Sequence, residues 1–481
     1  MWQPVLMING YLVSILGLAM LVPAGWDIFY EKMPWSPFLS SALGTLFLGM
    51  AMFLANRTTI NKITLQQGYL LTSMSWISLI LLGAVPFLVS GVTGNFSDAL
   101  FESTSGLSTT GATVFADVEA LPKSVLLWRS MLNCMGGIGI VIFAAAMLPF
   151  LGIGGMQMFQ RENSDMNEKF MPKFSYIAKR ILIVYLFLTA LCVFCLYAAG
   201  MGWFDAVNHS MAAVATGGLS TKNASVGFFD SVRIETVLII FMILGSLPMT
   251  FYVIVLQGRD WNSFGTSQIA AFLKILLFYT LFTSVYLTFI GKYDFWQAVR
   301  YSGFNIVSIV TTTGFVSTDY MLWGPWIGAF FVIFALTGGC TGSTSGSIKI
   351  FRWQVLFAYI RRFLVVATEP NRVMPVKVGS GTVDNGIVSS VFLFFTVFML
   401  SIAFLTCLVA AAGYNFEIAF SSVIACITNS GPGLGSVVGP AGNFSSLSDF
   451  AKCVLSFAML LGRLEVLTIM VVFSRSFWSQ N

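Results

Sequence analysis

Long apolar runs recur along the whole chain and are separated by shorter polar gaps. A transmembrane helix needs about 20 apolar residues, and the chain offers ten runs near this length, one of them interrupted by a stretch rich in Gly, Ser and Thr. We therefore predict an all-α integral membrane protein with about ten transmembrane helices. The runs cover 5–22, 37–54, 69–89, 125–151, 181–199, 237–256, 269–290, 326–336 with 348–366, 387–412 and 450–473.

Charged residues sort onto alternate gaps between these runs. The gaps on one side hold 16 Lys/Arg and six Asp/Glu, whereas those on the other side hold eight Lys/Arg and 13 Asp/Glu. Positively charged loops stay in the cytoplasm, so we assign the basic gaps and both termini to that side. The even number of spans agrees with this assignment, which predicts a multi-pass protein of the cell (inner) membrane.

Four of the outward gaps are long, and each contains an apolar segment that is too short to cross the bilayer. Such a segment between two spans is typical of a re-entrant loop. The segments cover 96–115, 203–220, 295–315 and 416–435. The predicted domains are two leading helices (1–66), followed by four pseudo-repeats of helix, re-entrant pore loop and helix at 67–178, 179–268, 269–385, with a broken second helix, and 386–481.

The four re-entrant segments share one pattern of residues. Each opens with an aromatic residue three positions before an alanine, has an acidic residue nearby, and closes on a small residue followed by glycine. Four such matches in equivalent gaps indicate an internal repeat. The closing pairs are Thr110-Gly111, Thr216-Gly217, Thr313-Gly314 and Ser430-Gly431, whose glycines follow the alanine by 12, 11, 16 and 12 residues.

This pattern predicts a short inward-dipping helix that ends at a glycine bend. The acidic residue complements the positive end of the helix dipole, and the negative end then points toward the membrane centre, where it favours a cation. Glycine permits the bend because it accepts positive φ, and rings of backbone carbonyls replace the hydration shell of potassium in selective filters. We predict potassium at the four closing pairs. The candidate filter residues are Thr109, Thr110, Gly111, Ala215, Thr216, Gly217, Thr312, Thr313, Gly314, Asn429, Ser430 and Gly431.

Composition narrows the class of protein further. Hydrophobic residues make up 57% and charged residues 9% of the chain, against about 25% charged residues in soluble domains, so a soluble protein is excluded. The apolar faces are expected to contact membrane lipid. The single histidine, the absence of a metal-ligand cluster and the few carboxylates inside the spans argue against an enzyme. We expect no organic cofactor and no nucleic-acid partner.

These motifs resemble the Trk/Ktr/HKT superfamily of potassium transporters over essentially the whole chain, and the two leading helices are similar to those of Trk-type members. The resemblance implies a homodimer with one pore in each protomer. It also implies channel-like potassium uptake, driven mainly by the membrane potential and gated by a cytoplasmic nucleotide-binding regulatory subunit of the TrkA type. It maps the filter glycines to Gly111, Gly217, Gly314 and Gly431. The matching stretches are 109–113, 215–221, 311–315, 337–349 and 429–433.

The interruption in the third repeat is the second site of interest. A stretch with so many glycines and hydroxyl residues does not hold a stable lipid-facing helix. We predict a flexible buried loop beneath the third filter that obstructs the pore when closed; the alternative is close helix packing through small residues. The loop spans 337–347, and its candidate gate residues are Gly338, Gly339, Gly342 and Gly346.

Arg463 is the charge inside a span that is most suggestive of function, because ionisable residues at membrane depth are costly. The resemblance places it near the glycine-rich loop. We predict that Arg463 contacts loop carbonyls and adds an electrostatic barrier below the filter; the alternative is structural anchoring between helices. Residues two apart on a helix do not face each other, so we expect no simple pair between Arg463 and Glu465.

Two competing functions remain. An ion-coupled secondary transporter, carrying potassium with protons or sodium, is the main alternative, but such transporters often use inverted repeats, whereas these repeats share one orientation. A membrane enzyme would need a convergent set of acids, bases or metal ligands. The basic segments 161–180 and 349–377 are expected to orient the chain in the membrane or to dock a partner or anionic lipid.

Overall fold

The computed structural model describes residues 2–31, 36–59, 64–151, 170–256, 266–379 and 381–479. Regular structure in these ranges is helical except for one short hairpin, in which β1 (Lys377–Val378) pairs antiparallel with β2 (Gly381–Thr382). The predicted all-α fold is confirmed. The basic gap 152–169 and most of the gap around Arg259 lie outside the described residues.

Nineteen α-helices follow one another in the described ranges. They are α1 (Trp2–Phe29), α2 (Pro37–Ala55), α3 (Leu65–Val89), α4 (Phe96–Leu107), α5 (Lys123–Leu151), α6 (Phe170–Ala198), α7 (Trp203–Val214), α8 (Val232–Gly245), α9 (Met249–Leu256), α10 (Thr266–Phe289), α11 (Phe295–Val310), α12 (Pro325–Leu336), α13 (Ile350–Thr368), α14 (Asn385–Ala411), α15 (Phe416–Ile427), α16 (Gly435–Val438), α17 (Asp449–Arg463), α18 (Leu467–Phe473) and α19 (Arg475–Trp478).

The leading helices α1 and α2 pack closely through glycine. A Cβ added at Gly10 would lie 2.8 Å from the Gly49 carbonyl oxygen, and one added at Gly49 would lie 2.9 Å from the Gly10 carbonyl oxygen. In a membrane no hydrophobic effect drives helices together, so they associate by close packing, and small residues let their backbones approach. The two helices therefore form a tight hairpin that packs beside α3 and α5.

The candidate spans follow the predicted runs. Among the described residues, seven single helices are long and apolar enough to cross a membrane, and two bent pairs bring the number to nine. The interrupted pair α12 and α13 lies at the remaining predicted run, where α12 is a shorter apolar helix. The single helices are α1, α2, α3, α5, α6, α10 and α14, and the bent pairs are α8 with α9 and α17 with α18.

Two apolar runs that the sequence predicts as continuous are in fact broken. The run 237–256 bends by 87° between α8 and α9, and the run 450–473 bends by 107° between α17 and α18. Pro248 ends the first helix, because proline lacks an N–H group and clashes with the preceding turn. At the second break Glu465 has a φ of 52° and pairs with Arg352 on α13. Three of the four repeats thus have an interrupted second helix.

Four short helices, which we call the pore helices, begin at the aromatic residues predicted from the repeat. They are α4, α7, α11 and α15, with 12, 12, 16 and 12 residues. The predicted acidic residues lie in the first turn or at the N-cap, where they complement the helix dipole. These residues are Asp98, Asp205, Asp294 and Glu417.

The second helix of each repeat lies between its own pore helix and the pore helix of the next repeat. α5 contacts α4 and α7, α8 contacts α7 and α11, α12 contacts α11 and α15, and α17 contacts α15 and α4. The series closes on itself, so the pore helices surround a common centre. In three repeats a glycine of the second helix lies against the carbonyl oxygen of the last residue of its pore helix. A Cβ added at Gly136 would lie 1.8 Å from the Leu107 oxygen, one at Gly245 would lie 2.7 Å from the Val214 oxygen, and one at Gly462 would lie 1.9 Å from the Ile427 oxygen.

Candidate ion pathway

Each pore helix is followed by a C-cap residue and then by a three-residue bend. Within each bend the first and third residues have positive φ. We call these residues bend positions 1, 2 and 3. Position 1 is Thr109, Thr216, Thr312 and Asn429, with φ of 54°, 52°, 57° and 56°. Position 2 is Thr110, Gly217, Thr313 and Ser430. Position 3 is Gly111, Gly218, Gly314 and Gly431, with φ of 82°, 67°, 85° and 87°.

This register corrects the alignment of the second repeat. The Thr-Gly dipeptide predicts Gly217 as the counterpart of Gly111, and that is wrong, because Gly218 has the positive φ of position 3. Gly217 is the counterpart of Thr110. From Ala206 to Gly218 is 12 residues, the spacing of the first and fourth repeats, so spacing identifies the register where the dipeptide does not.

The four bends meet in a closed ring. At every position 3, an added Cβ would overlap the position-2 carbonyl oxygen of the next repeat. Glycine is needed there for its positive φ and because the neighbouring oxygen already occupies the side-chain space. The distance from the added Cβ to the carbonyl oxygen is 2.4 Å for Gly111 and Gly217, 1.8 Å for Gly218 and Thr313, 2.4 Å for Gly314 and Ser430, and 2.6 Å for Gly431 and Thr110.

Position 1 carries backbone strain. Threonine is β-branched and rarely adopts positive φ, and such a conformation costs about 1–3 kcal/mol unless the surroundings enforce it. The prediction that glycine alone makes the bend is therefore incomplete. Thr312 Oγ1 accepts a hydrogen bond from Gly346 N at 2.6 Å. Asn429 Nδ2 donates to Thr110 Oγ1 and to the Met459 carbonyl, both at 3.0 Å.

Three repeats have a pair of hydroxyls that joins the C-cap of the pore helix to position 2. The second repeat has Ala215 and Gly217 at these places and forms no such pair. A Cβ at Gly217 would lie 2.5 Å from Cγ of Asn133, so the buried Asn133 side chain fills the space of the missing hydroxyl. The pairs are Ser108 with Thr110 at 2.6 Å, Thr311 with Thr313 at 2.8 Å, and Thr428 with Ser430 at 2.9 Å.

The ring offers neutral oxygens rather than carboxylates. Glu102 lies behind the first bend, but its carboxylate is bound by Arg129 at 2.6 Å and accepts hydrogen bonds from Thr113 Oγ1 and Val114 N. In the described part of the chain, no group of three or more His, Cys, Asp or Glu side chains is placed to hold a metal ion. Neutral oxygens match a weakly hydrated monovalent cation better than a divalent one.

The glycine-rich segment 337–347, which we call the gating loop, packs against position 1 of three bends. Besides the bond from Gly346 N to Thr312, Thr216 Oγ1 donates to Thr344 Oγ1 at 3.2 Å. A Cβ at Gly346 would lie 3.0 Å from Cβ of Asn429. Thr344 is fully buried. The predicted buried loop is present, and it reaches the second and fourth bends as well as the third.

Cationic side chains hold the gating loop from two sides. Arg463 is buried, and its Nη1 donates to the Thr344 carbonyl at 2.7 Å, which is the predicted loop contact; Nη2 donates to the Gly136 carbonyl at 3.4 Å. Lys349 donates to the Ser345 carbonyl. Glu465 pairs with Arg352 rather than with Arg463, as expected.

A small cavity lies under the gating loop. Its volume is about 30 Å³, enough for about two water molecules. The walls combine loop hydroxyls, aromatic rings of α14 and charged groups, so an ion leaving the loop would meet both polar oxygens and positive charge. Its lining includes Ser343, Ser345, Lys349, Phe394, Arg463 and Glu465.

Hydrogen bonds also join the loops that follow the first and second bends. Asn223 Nδ2 donates to Asp117 Oδ1 at 2.8 Å, and Asn223 Oδ1 accepts from Val118 N at 2.7 Å. The bond from Asn223, together with those from the backbone N–H groups of Ala120 and Glu119, lowers the pKa of Asp117. Asp117 therefore stays ionised at neutral pH.

Comparison with known proteins agrees with this architecture. Residues 38–480 match the family profile described as "TrkH: Cation transport protein". The chain belongs to this cation transport family. Among TrkH-family relatives, the Trk system potassium uptake protein TrkH of Halomonas elongata is 35% identical over 98% of both chains, and that of Escherichia coli K12 is 34% identical over 98% of both. The crystal structure of the potassium transporter TrkH from Vibrio parahaemolyticus superposes with a TM-score of 0.92 at 32% identity, covering 99% of this chain and 100% of that one.

Sequence reasoning missed several residues of this TrkH-family pathway. Gly218, Asn133 and Lys349 were outside the predicted site, and His209 was noted only as the single histidine. Gly218 could have been found from its spacing to Ala206. Lys349 lies in the matching stretch 337–349 and in the basic segment 349–377, but neither predicts its bond to the loop. Asn133 gives no signal in the sequence, because its role depends on which helix packs against the bend.

Proposed function

We propose that the chain takes up potassium ions through the ring formed by the four bends. The observation that carries the proposal is the closed series of contacts between position-3 glycines and position-2 carbonyls of the next repeat. Backbone oxygens gathered in this way replace the hydration shell of a monovalent cation. The site residues are those of positions 1 to 3 with the C-caps, and Gly218 replaces Gly217 as the position-3 glycine of the second bend. The Trk system relatives, named as potassium uptake proteins, support potassium as the ion.

We further propose that conduction is channel-like and driven mainly by the membrane potential. Each elementary charge moved across 100 mV gains about 2.3 kcal/mol, which is enough to concentrate potassium inside the cell without a coupled ion. All four repeats contribute to one continuous ring, and no repeat is inverted relative to the others in the topology inferred from charge. Both features favour a pore over alternating access.

The test is ion flux into proteoliposomes of the purified protein at a set potential. We expect potassium and rubidium to enter in response to an inside-negative potential, and sodium to enter much more slowly. Flux that instead requires a proton or sodium gradient at zero potential would favour the coupled transporter. Failure of potassium to enter under either condition would contradict potassium transport.

The gating loop is proposed to close the pathway on the cytoplasmic side of the ring. Thr344 and Gly346 press against position 1 of the bends, and Arg463 adds positive charge at the same depth. A potassium ion must displace this segment to leave the ring. Because Gly338, Gly339, Gly342 and Gly346 lower the cost of rearranging the backbone, the loop is suited to move.

Regulation and assembly are also proposals. We propose a homodimer in the cell (inner) membrane, with both termini in the cytoplasm and a cytoplasmic nucleotide-binding regulatory subunit of the TrkA type that acts on the gating loop through α13. The basic residues Arg361, Arg362 and Arg372 lie on or just after α13, on the side assigned to the cytoplasm by its charge. Nucleotide-dependent co-purification with such a subunit, and the mass of the detergent-solubilised protein, test these two points separately.

A further inference from the structure

One position recurs on all four pore helices, six residues before the C-cap. It lies behind the bend and faces the segment that returns from position 3 toward the outer surface, which we call the return segment. In all four repeats the residue at this position is fully buried. We call the position the brace position; it holds Glu102, His209, Asn305 and Ser422.

The brace residues of the first and third repeats make equivalent contacts although their chemistry differs. Glu102 accepts a hydrogen bond from the backbone N–H of Val114 at 3.1 Å. Asn305 accepts one from the backbone N–H of Ser317 at 3.3 Å and donates to Ser317 Oγ at 2.9 Å. Val114 and Ser317 each lie three residues after the position-3 glycine. Each brace thus fixes its return segment at the same height.

His209 contacts the return segment of the second repeat through the hydroxyl of Ser220, two residues after Gly218, and its surroundings fix its tautomer. Nδ1 lies 2.8 Å from the Asp205 carbonyl oxygen, which only accepts, so Nδ1 carries the proton. In the neutral ring Nε2 is then an acceptor. Ser220 Oγ, at 3.0 Å, donates to it, while Ser220 Oγ itself accepts from Lys222 N at 3.0 Å.

His209 also joins the second repeat to the third, because its ring stacks on Phe315, the residue after Gly314, with 5.5 Å between centroids and 29° between planes. Arg129, paired with Glu102, donates to the Ser220 carbonyl at 3.1 Å and joins the second repeat to the first. The return segments of three repeats are therefore linked in series, with His209 and Ser220 in the middle.

The fourth repeat lacks this link. Ser422 Oγ donates to the Ala419 carbonyl of its own helix at 3.1 Å and is too short to act as the other braces do. Its return segment is held from elsewhere, since Gly433 N donates to the Val438 carbonyl at 2.7 Å. The chain therefore contains its own control for a brace position without a brace.

We propose that His209 is a positioning residue that sets the discrimination between potassium and sodium, and that it acts through Ser220 on the second bend. The inference rests on the proposed potassium pathway. The second bend has the strained Thr216 at position 1 and no hydroxyl pair, so its position 2, Gly217, lacks the side-chain bond that holds position 2 in the other three repeats. Without the brace the bend relaxes, its oxygens follow a smaller ion inward, and sodium enters.

The experiment compares His209→Leu, His209→Gln, Ser220→Ala and Ser422→Ala in proteoliposomes, with the potassium-to-sodium flux ratio at fixed potential as the readout. His209→Leu and Ser220→Ala each remove the hydrogen bond between His209 and Ser220. We expect this loss to lower the flux ratio about five-fold. The glutamine in His209→Gln has the same side-chain length as Glu102 in the first repeat, so this variant should restore most of the ratio. Ser422→Ala should keep the wild-type ratio.

Two results from the variants overturn the inference. One is a wild-type ratio in Ser220→Ala or in a folded His209→Leu. The other is an equal loss in Ser422→Ala or no rescue by His209→Gln. Ser220→Ala tests the same bond if His209→Leu fails to fold, as judged by size-exclusion elution. A wild-type protein that takes up potassium but does not discriminate between the ions also overturns the inference, whereas failure of potassium to enter at all overturns the proposed function instead.

Discussion

At the scale of single residues, the threonines at position 1 are the feature that departs most from ordinary backbone chemistry. Thr109, Thr216 and Thr312 all have φ between 52° and 57°, a conformation that threonine adopts only when its surroundings enforce it. The Thr109 side-chain oxygen is buried without a partner among the described residues.

Gly218→Ala tests the register of the second repeat. The new Cβ would lie 1.8 Å from the Thr313 carbonyl oxygen, and φ is 67°, so we expect potassium flux to fall by more than about a hundredfold, as for a backbone shift at a carbonyl ring. The three atoms nearest to a Cβ added at Gly217 all belong to the side chain of Asn133. Gly217→Ala should reduce flux less, and Asn133→Ala should partly rescue it. Equal damage by both single substitutions would contradict the register.

Glu102→Gln tests the buried ion pair behind the first bend. The substitution keeps the shape of the side chain but leaves Arg129 without a counter-charge, which costs about 3–5 kcal/mol at a buried site. We expect a clear loss of thermal stability in detergent. Asp230→Asn is the matched control, because Asp230 is 78% exposed and Arg300 keeps Glu235; its effect should stay below about 1 kcal/mol. An equal loss of thermal stability in Glu102→Gln and Asp230→Asn would contradict a stabilising role of the ion pair between Glu102 and Arg129.

At the scale of elements, the gating loop and the bends form one hydrogen-bonded unit. Three broken second helices surround the ring, and the loop of the third one reaches Thr216, Thr312 and Asn429. The bonds that join the loop to the second and third bends also hold position 1 of these bends in its strained conformation. Movement of the loop and the geometry of the ring are therefore coupled.

Thr312→Val tests this coupling. Valine keeps the shape but removes the acceptor for Gly346 N, whose bond is worth about 1 kcal/mol, so the loop should open about five times more often. Cys340, a buried residue of the loop, reports on it: in a chain whose other cysteines are replaced, its reaction with a thiol reagent should accelerate. An unchanged reaction rate of Cys340 in a folded protein would show that movement of the loop is not coupled to the bend.

Arg463→Gln tests the electrostatic barrier below the ring. Removing one charge about 10 Å from the path at an effective dielectric constant of about 20 lowers the barrier by about 1.7 kcal/mol, so potassium flux should rise by up to about twentyfold. Arg475→Gln removes an equal charge from the exposed end of the chain and should leave flux unchanged. Reduced flux in folded Arg463→Gln would indicate that this arginine anchors the loop and forms no barrier.

At the scale of the whole molecule, hydrophobic patterning predicts most of the fold. It places the spans and the first residue of every pore helix, because both depend on local composition. It fails at the bends of α8–α9 and α17–α18, where Pro248 and Glu465 break apolar runs that look continuous. The register of the second repeat and the brace position also escape it, because they depend on which carbonyl or side chain a neighbouring repeat brings near.

The central claim is that four backbone bends from one chain form a single binding ring for potassium. Crystals grown or soaked with thallium(I), an anomalous scatterer that replaces potassium, test it most directly. We expect anomalous peaks inside the ring bounded by the carbonyls of Thr110, Gly217, Thr313 and Ser430, and their loss when excess potassium is added. Thallium bound elsewhere, with none inside the ring of a transport-competent protein, would contradict the account.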